Sequence, residues 1–509
     1  ILEYLADRSI LDPLQTGFRP SNSTQTALLK LTDDIRTGID RRQLTMLILF
    51  DFSKAFDSVC HVLLLEKLVS YGFSSAAVRW IASYLSGHSQ ATLGGSSAFY
   101  FRILKIYLPI YTDNVIKVVI KIVHQEKLWK WEDLCQYIIQ GLLNCGINQN
   151  KIIDGLFNKT QCKRTSLKDI RKIMRILYTI LEDHSWVNDQ DTETAIKRLL
   201  TLYHNSLNHC FDEKQLILKN SFEICLLNAI KHLSDWHLIS ILSEISLWAL
   251  EKQSHDDAII LELANILEFA AQSYELDIFE NTLAKELLIL LLKMISSPNS
   301  SVSLVGNRVL QNLIDRKRNK LQFQALKLFF ENTDYDIEIN KDRRNDQDFF
   351  KEHRDLIHES FLQCVMNHCT SRINLEAIYC TICLIAVEVP CGFTAAALSC
   401  LLMNIQDLTL EHLDATHSVT YHVHAMILAI MTLICWIHKA KVFYAYVNKV
   451  LMERAQWAPH LNPPLATHYD LAIHHVLWDK PELFFVDWEV RFGLWKCFRL
   501  QTEEDYNKS

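Results

Sequence analysis

Glycine and proline are scarce in this chain, since its 509 residues contain only 12 Gly and 9 Pro. Because these two residue types supply most tight turns and helix breaks, folds built from many short strands are disfavoured and long helices are favoured. Disorder is excluded as well, because 49% of the residues are hydrophobic and only 22% are charged. The length is sufficient for about two to four domains, each with its own core.

Signatures of common enzymes are also missing. The sequence contains no Gly-rich phosphate loop, no nucleophile elbow and no set of protein-kinase motifs. It begins at Ile1 without the segments of a secretory signal peptide, and this start indicates a fragment. Because its 14 Cys are scattered through apolar helical patterns, we expect reduced thiols in an intracellular protein, cytoplasmic rather than nuclear.

Excess positive charge is absent. The formal net charge is −7, and residues 1–101 hold 9 of the 52 Lys and Arg and 9 of the 59 Asp and Glu. The acidic excess therefore lies in the rest of the chain. A surface that neutralises phosphates should be basic, so we expect no broad nucleic-acid-binding face there.

The sequence also lacks a clear membrane-spanning run. Residues 384–403 carry Glu388, Pro390 and Gly392 near the middle, and residues 425–437 are shorter than the ~20 residues that a span needs. We expect buried helices in both places. Peripheral contact with a membrane stays open.

From about residue 104 onward, apolar residues recur with a period near 3.6 in runs separated by short polar breaks such as "EKQSHDD" and "SSPNSS". Successive helix pairs recur at roughly 40 residues, a spacing typical of solenoids of the HEAT or armadillo type. We predict one helical lobe over 104–330, a charged loop or linker over 331–355, and a second lobe over 356–509. Such a solenoid presents a surface to a protein partner.

Residues 1–101 have a different pattern, with turns, a strand and helices. The blocks "LDPLQTGFRPSNSTQTALLKLTDDI", "LILFDFSKAFDSVCHVLLLEKLVSYGF" and "WIASYLSGHSQATLGGSS" together resemble the reverse transcriptase of non-LTR (LINE-type) retrotransposons. The resemblance implies a truncated α+β fingers and palm fragment. It also implies that Asp51, at the end of a strand, is a catalytic Mg²⁺ ligand, that Phe56 lies under the sugar, and that Arg19 meets the incoming triphosphate.

The other blocks that this family needs are missing. Two-metal phosphoryl transfer requires further carboxylates, and no aromatic-x-Asp-Asp block or Pro-Gln-Gly-Ser block follows. Asp113 in "YTDN" does not replace them, and we interpret Asp57 as the N-cap of the next helix. We therefore expect an inert remnant, joined to the solenoid by insertion or by a gene-prediction error. The alternative is an RNA-directed DNA polymerase that is incomplete in this chain.

Two groups of His and Cys residues could bind zinc. The first is His368, Cys369, Cys380 and Cys383, and the second is the cluster His412, Asp414, His417, His422 and His424. Because Cys380 and Cys383 fall in an apolar helical run instead of a tight turn, we interpret them as buried thiols. For the second group, we favour polar contacts between helices over metal binding. No cofactor is expected, apart from Mg²⁺ if polymerase activity remained.

The aromatic C-terminal part, "HHVLWDKPELFFVDWEVRFGLWKCF", has two interpretations: anchors for a partner, or a closing core. The sequence as a whole predicts a mainly α protein. Its predicted function is an α-solenoid scaffold for an unidentified protein partner, with nucleic acid contact restricted to the N-terminal remnant.

Overall fold

The structure is a computed structural model. It describes residues 22–41, 59–85, 116–143, 166–182, 190–207, 213–252, 257–274, 283–341, 343–411, 420–464 and 480–486, with a few single residues elsewhere. The chain divides into two compact units, residues 1–163 and residues 164–509. All regular elements in the described ranges are helices.

Within the described ranges, the first unit contains five helices: α1 (Thr24–Asp40), α2 (His61–Ser70), α3 (Ser75–Leu85), α4 (116–125) and α5 (Glu132–Leu143). Helices α2 and α3 pack against each other. Ser23 caps α1, because its hydroxyl accepts a hydrogen bond from the Thr26 amide at 3.2 Å. The N-cap residue of α2 is Cys60, which makes no side-chain cap bond. Asp57, which the sequence suggested for this role, lies outside the described residues. The predicted strand over residues 45–52 lies outside the described residues.

The second unit contains twelve helices within the described ranges. They are α6 (Leu167–Glu182), α7 (Gln190–Leu207), α8 (Glu213–Ile230), α9 (Asp235–Lys252), α10 (Asp257–Ser273), α11 (Lys285–Ile295), α12 (Ser300–Ile314), α13 (Arg344–His368), α14 (Arg372–Glu388), α15 (Gly392–Glu411), α16 (Thr420–His438) and α17 (Lys441–Trp457).

These helices alternate between two layers. Helices α7, α9, α11, α13 and α15 form the first layer, and α6, α8, α10, α12, α14 and α16 form the second. Each first-layer helix packs against the second-layer helix that follows it, and successive second-layer helices pack side by side. Helices α8, α10 and α12 begin at residues 213, 257 and 300, close to the predicted repeat. This arrangement of helix pairs confirms the predicted α-solenoid.

Local sequence explains where the helices begin and which side they bury. The break "SSPNSS" contains Asn299, whose side chain accepts from the Val302 amide at 2.9 Å and caps α12. Helix α6 shows the expected amphipathic pattern, because its buried residues recur at intervals of three and four: Ile170, Ile173, Met174, Ile176, Leu177, Ile180 and Leu181.

The regular alternation is interrupted after α12 by residues 315–341, which we call the insert. The insert lies on the second layer: the Phe329 amide donates to Thr432 Oγ1 of α16 at 3.1 Å, and the Asn340 amide donates to the Val387 carbonyl of α14 at 3.0 Å. Every residue of α14 from Ala377 to Glu388 is buried as a result. This covering explains why α14 is apolar all round instead of amphipathic.

These contacts describe the region predicted as a charged loop or linker, residues 331–355. Residues 331–355 do not form one linker, because α13 begins at Arg344 and the preceding residues pack on α14 and α16. Residues 164–509 form one compact unit, and the division into lobes at 104–330 and 356–509 stays a prediction. Six of the 14 charged residues in 331–355 lie on the exposed side of α13, where charge is compatible with a helix: Arg344, Asp348, Lys351, Glu352, Arg354 and Asp355.

Candidate functional site

The residues assigned to the reverse-transcriptase site are Asp51, Phe56 and Arg19. All three lie outside the described residues, as do Asp57 and Asp113. The structure therefore gives no geometry for this site, and the assignment stays a prediction.

The first group of possible zinc ligands is divided between two helices. His368, at the end of α13, is buried and its Nε2 lies 2.8 Å from the Ser297 carbonyl oxygen. Cys380 and Cys383 lie inside α14, with Cys383 fully buried. Burial raises the pKa of Cys380 to about 12, which keeps the thiol protonated and weakens it as a metal ligand. The chain folds these cysteines into the core.

The second group is only partly described. His422 and His424 lie on α16, and His424 is fully buried, whereas His412, Asp414 and His417 are outside the described residues. A search of the described residues finds no group of three His, Cys, Asp or Glu side chains that could hold a metal ion.

Two helices in the described ranges are long and apolar enough to cross a membrane, namely Gly392–Glu411 and Tyr421–His438. In these windows 50% and 78% of the residues are buried inside the protein. The core helix of a globular protein has the same length and composition, so these two helices indicate a membrane span only weakly.

The second layer offers a more regular feature. Polar side chains on its neighbouring helices form hydrogen bonds at a constant offset in sequence. Asn265 Nδ2 of α10 donates to Glu223 Oε1 of α8 at 3.3 Å, and Nδ2 of Asn299, the N-cap of α12, donates to Asp257 Oδ1 of α10 at 3.0 Å. Both pairs are 42 residues apart. Because the offset repeats, α8, α10 and α12 run parallel in a common register. We call this series of bonds the ladder.

Two ion pairs, which differ in how far they are buried, reinforce the ladder. Lys219 Nζ lies 2.6 Å from Glu262 Oε1, with the lysine side chain only 8% exposed, and Arg308 Nη1 lies 3.5 Å from Glu268 Oε1. A pair shielded from water is screened less than an exposed one. The Lys219 pair therefore fixes the register of α8 and α10 more firmly than Arg308 fixes that of α12.

Exposed apolar side chains occur on the same layer, towards the helix N-termini. Leu216 of α8 is 44% exposed, Leu261 of α10 is 52% exposed and Ile373 of α14 is 60% exposed. The register set by the ladder places Leu216 and Leu261 at about the same height on adjacent parallel helices. Together with the ladder, these three side chains define what we call the second-layer face.

The first helix of this layer is basic. Lys168, Arg171 and Arg175 are exposed and recur at intervals of three and four along α6, so they share one side of the helix. Helix α6 packs beside α8. The second-layer face therefore has a positive end next to its apolar and polar portion.

The ladder and the apolar side chains were not identified from the sequence. A self-comparison at an offset of 42 residues would have aligned Glu223 with Asn265 and Asp257 with Asn299. No single motif marks them, because the pairing depends on the register between helices.

Helix pairs stacked in two layers, with parallel second-layer helices in a constant register, define an α-solenoid protein of the armadillo-like class. The family described as EFR3, armadillo repeat, matches residues 111–473, and the chain belongs to this family. Comparisons with curated proteins and with solved structures find no match. The matched range does not include residues 1–110, so the reverse-transcriptase resemblance gains no support from the family match.

Proposed function

We propose that this protein is an interaction scaffold that binds a protein partner along the second-layer face. The observation that carries the proposal is the exposure of Leu216 and Leu261 on α8 and α10, which the ladder holds in one register. Ile373 adds a third exposed apolar side chain on α14 of the same layer. Exposed apolar side chains surrounded by polar groups are characteristic of protein interfaces.

The basic end of the second-layer face predicts a second property of the partner. Lys168, Arg171 and Arg175 of α6 would attract acidic side chains and would raise the association rate more than the final affinity. The partner we expect therefore presents apolar side chains next to an acidic segment.

The test is quantitative affinity capture with the full chain in several cell types. The variant Leu216→Asp/Leu261→Asp/Ile373→Asp should lose a partner that the wild type recovers at stoichiometric levels. The matched control is Val442→Asp/Met452→Asp on α17, because these two side chains are exposed and apolar but lie on another helix. The proposal would be contradicted if the face variant captured all the stoichiometric partners that the wild type captures. It would also be contradicted if the wild type captured no stoichiometric partner.

For residues 1–101, we propose a catalytically inert remnant of a reverse transcriptase. The support is the sequence resemblance around Asp51 together with the missing Asp-Asp block. Primer extension on an RNA template with Mg²⁺ should give no synthesis above the Asp51→Ala variant. Synthesis that depends on Asp51 would establish the polymerase alternative instead.

We also propose an intracellular, cytoplasmic location. All ten described cysteines are free, and a reducing compartment maintains such thiols. Fractionation of cells that express the tagged full chain should place it in the cytosolic or peripheral membrane fraction. Resistance to carbonate extraction would indicate a membrane span and contradict this location.

A further inference from the structure

A short described segment of the chain, Lys480–Val486, packs against the last of the described solenoid helices. It contains one 3-10 turn, Pro481–Leu483, and then becomes extended at Phe484, with φ −128° and ψ 164°. Leu483, Phe484 and Phe485 are nevertheless at most 3% exposed. We call this segment the strap. It packs on α17, and its backbone bonds to a side chain of α15.

Gln406 of α15 binds the strap through its backbone. The Phe485 amide donates to Gln406 Oε1 at 2.9 Å, and Gln406 Nε2 donates to the Phe485 carbonyl at 3.4 Å. Both backbone groups of one residue are therefore paired with one side-chain amide, as they would be paired with a neighbouring β-strand. This contact recognises an extended backbone of any sequence.

Arg454 of α17 binds the strap two residues earlier. Its Nε donates to the Leu483 carbonyl at 2.7 Å, and its Nη1 donates to the His424 carbonyl at 3.0 Å and the Leu461 carbonyl at 3.3 Å. The side chain is fully buried, and burial lowers its pKa. Its third nitrogen, Nη2, has no hydrogen-bond partner within the part of the chain that the structure describes. The buried Arg454 side chain is paired with carbonyl oxygens, and the hydrogen bond of its Nε is supplied by the strap.

The side chains of the strap occupy specific positions. The Phe485 ring makes an edge contact with Tyr446 at 5.7 Å, and Phe484 makes one with His424 at 5.2 Å. At the outer end, Lys480 Nζ lies 3.0 Å from Glu453 Oε2 and 4.5 Å from the centre of the Trp457 ring. These contacts favour a peptide with Leu followed directly by two aromatic residues, and with a basic residue three positions before the Leu.

We infer that the groove formed by α15, α16 and α17 is a binding site for an extended peptide with a Leu-aromatic-aromatic core, and that the strap is its built-in ligand. The Gln406 amide and the Arg454 Nε are buried polar groups that bond to backbone groups of the strap. Removing the strap leaves these groups unsatisfied unless another peptide replaces it. A partner segment with the same pattern would compete with the strap. This site is separate from the second-layer face, so the failure of either proposal leaves the other intact.

The test uses a labelled synthetic peptide with the sequence of residues 479–487, DKPELFFVD. In the full chain, Leu483→Ala/Phe484→Ala/Phe485→Ala removes the competing side chains of the strap. This variant should bind the peptide at least tenfold more tightly than the wild type, whose own segment competes at an effective concentration on the order of mM. Adding Gln406→Ala should weaken that binding at least tenfold, and the peptide DKPEAAAVD should not bind. If the triple variant keeps the helical content of the wild type and does not bind DKPELFFVD, the proposal is overturned.

A second measurement decides the question if the triple variant does not fold. In the wild type, about 1 mM peptide should increase hydrogen exchange of the Phe485 amide, which loses its bond to Gln406 when the strap is displaced. Exchange in the middle of α16 should not change. If the Phe485 amide stays equally protected, the strap is a permanent part of the fold and the proposal is rejected.

Discussion

Arg316 connects four segments through one buried guanidinium group. Its Nη1 lies 2.8 Å from Asp346 Oδ2 of α13 and its Nε lies 2.8 Å from Glu388 Oε2 of α14, while the group stacks 4.3 Å from the centre of the Phe279 ring. Asn340 of the insert donates to the same Glu388 oxygen at 2.9 Å. Burial raises the pKa of Glu388 even though Arg316 opposes this shift. The cation thus offsets the cost of two buried carboxyl groups.

We predict that Arg316→Ala lowers the free energy of unfolding by about 3–5 kcal/mol, because it leaves Asp346 and Glu388 buried without their cation. The matched control is Arg372→Ala, which breaks a more exposed pair with Glu376 and should cost less than about 1 kcal/mol. Urea denaturation followed by circular dichroism measures both values. Equal losses for the two variants would mean that the Arg316 network is worth no more than a surface pair.

His424 makes stability depend on pH. It is fully buried on α16, and burial, helped by the nearby charge of Arg454, holds the pKa of His424 well below its ordinary value of 6.5. The unfolded chain therefore binds a proton near pH 6.5 that the folded chain does not bind. The stability that comes from neutral His424 is present above that pH and is lost as the pH falls.

We predict that His424→Gln flattens the pH dependence of unfolding. Between pH 6 and 5 the slope for the wild type should exceed that for the variant by up to about 1.4 kcal/mol per pH unit, the value for one proton. Chemical denaturation at half-unit intervals measures this difference, and pH 8 serves as the reference because the histidine is neutral in both states there. Parallel curves would show that His424 is protonated in the folded protein.

At the scale of elements, aromatic packing helps to hold the insert on the second layer. The Phe329 ring is fully buried and lies 4.9 Å from Tyr335 and 6.2 Å from Trp436 of α16, measured between ring centres. Trp436 Nε1 also donates to the Thr333 carbonyl at 3.1 Å. Phe330, the next residue, is 44% exposed. Two neighbouring phenylalanines therefore have opposite environments.

This contrast supplies a prediction with an internal control. Phe329→Ala should lower the free energy of unfolding by about 3–5 kcal/mol, the usual cost of removing a buried phenylalanine, and should increase hydrogen exchange along α14. Phe330→Ala should change stability by less than about 0.5 kcal/mol. If the two variants behave alike, the insert is not docked on α14 and α16 as described.

The same comparison shows what the sequence could predict. The helix pairs follow from the 3.6-residue period and from polar breaks such as residues 251–257, since both signals are local. The position of the insert does not, because Phe329 and Tyr335 stand among charged residues and their partner Trp436 lies about a hundred residues away. Gln406 and Arg454 were missed for a related reason: a single polar residue in an apolar helix has no local signal for the carbonyl that it binds.

At the scale of the whole molecule, a solenoid differs from a globular domain because each repeat contacts mainly its neighbours. Stability is then a sum of local terms and interface terms, and damage to one repeat should be felt most at the adjacent ones. The close packing of α11 and α12 provides a place to test this. A Cβ atom added at Gly306 of α12 would lie 2.8 Å from Met294 Cβ and 3.0 Å from the Ile295 backbone nitrogen. Only glycine lets the two backbones approach this closely.

We predict that Gly306→Ala separates α11 from α12 and costs about 1–3 kcal/mol, as overpacking usually does. Hydrogen exchange followed by mass spectrometry should show the greatest loss of protection in α11 and α12, a smaller loss in α10 and α14, and little change in α6 or α17. Gly17→Ala is the control, since an added Cβ there meets no atom within 4 Å. If protection fell equally from α6 to α17, residues 164–509 would unfold as one cooperative body, and a partner bound on the second-layer face would then stabilise the strap groove as well.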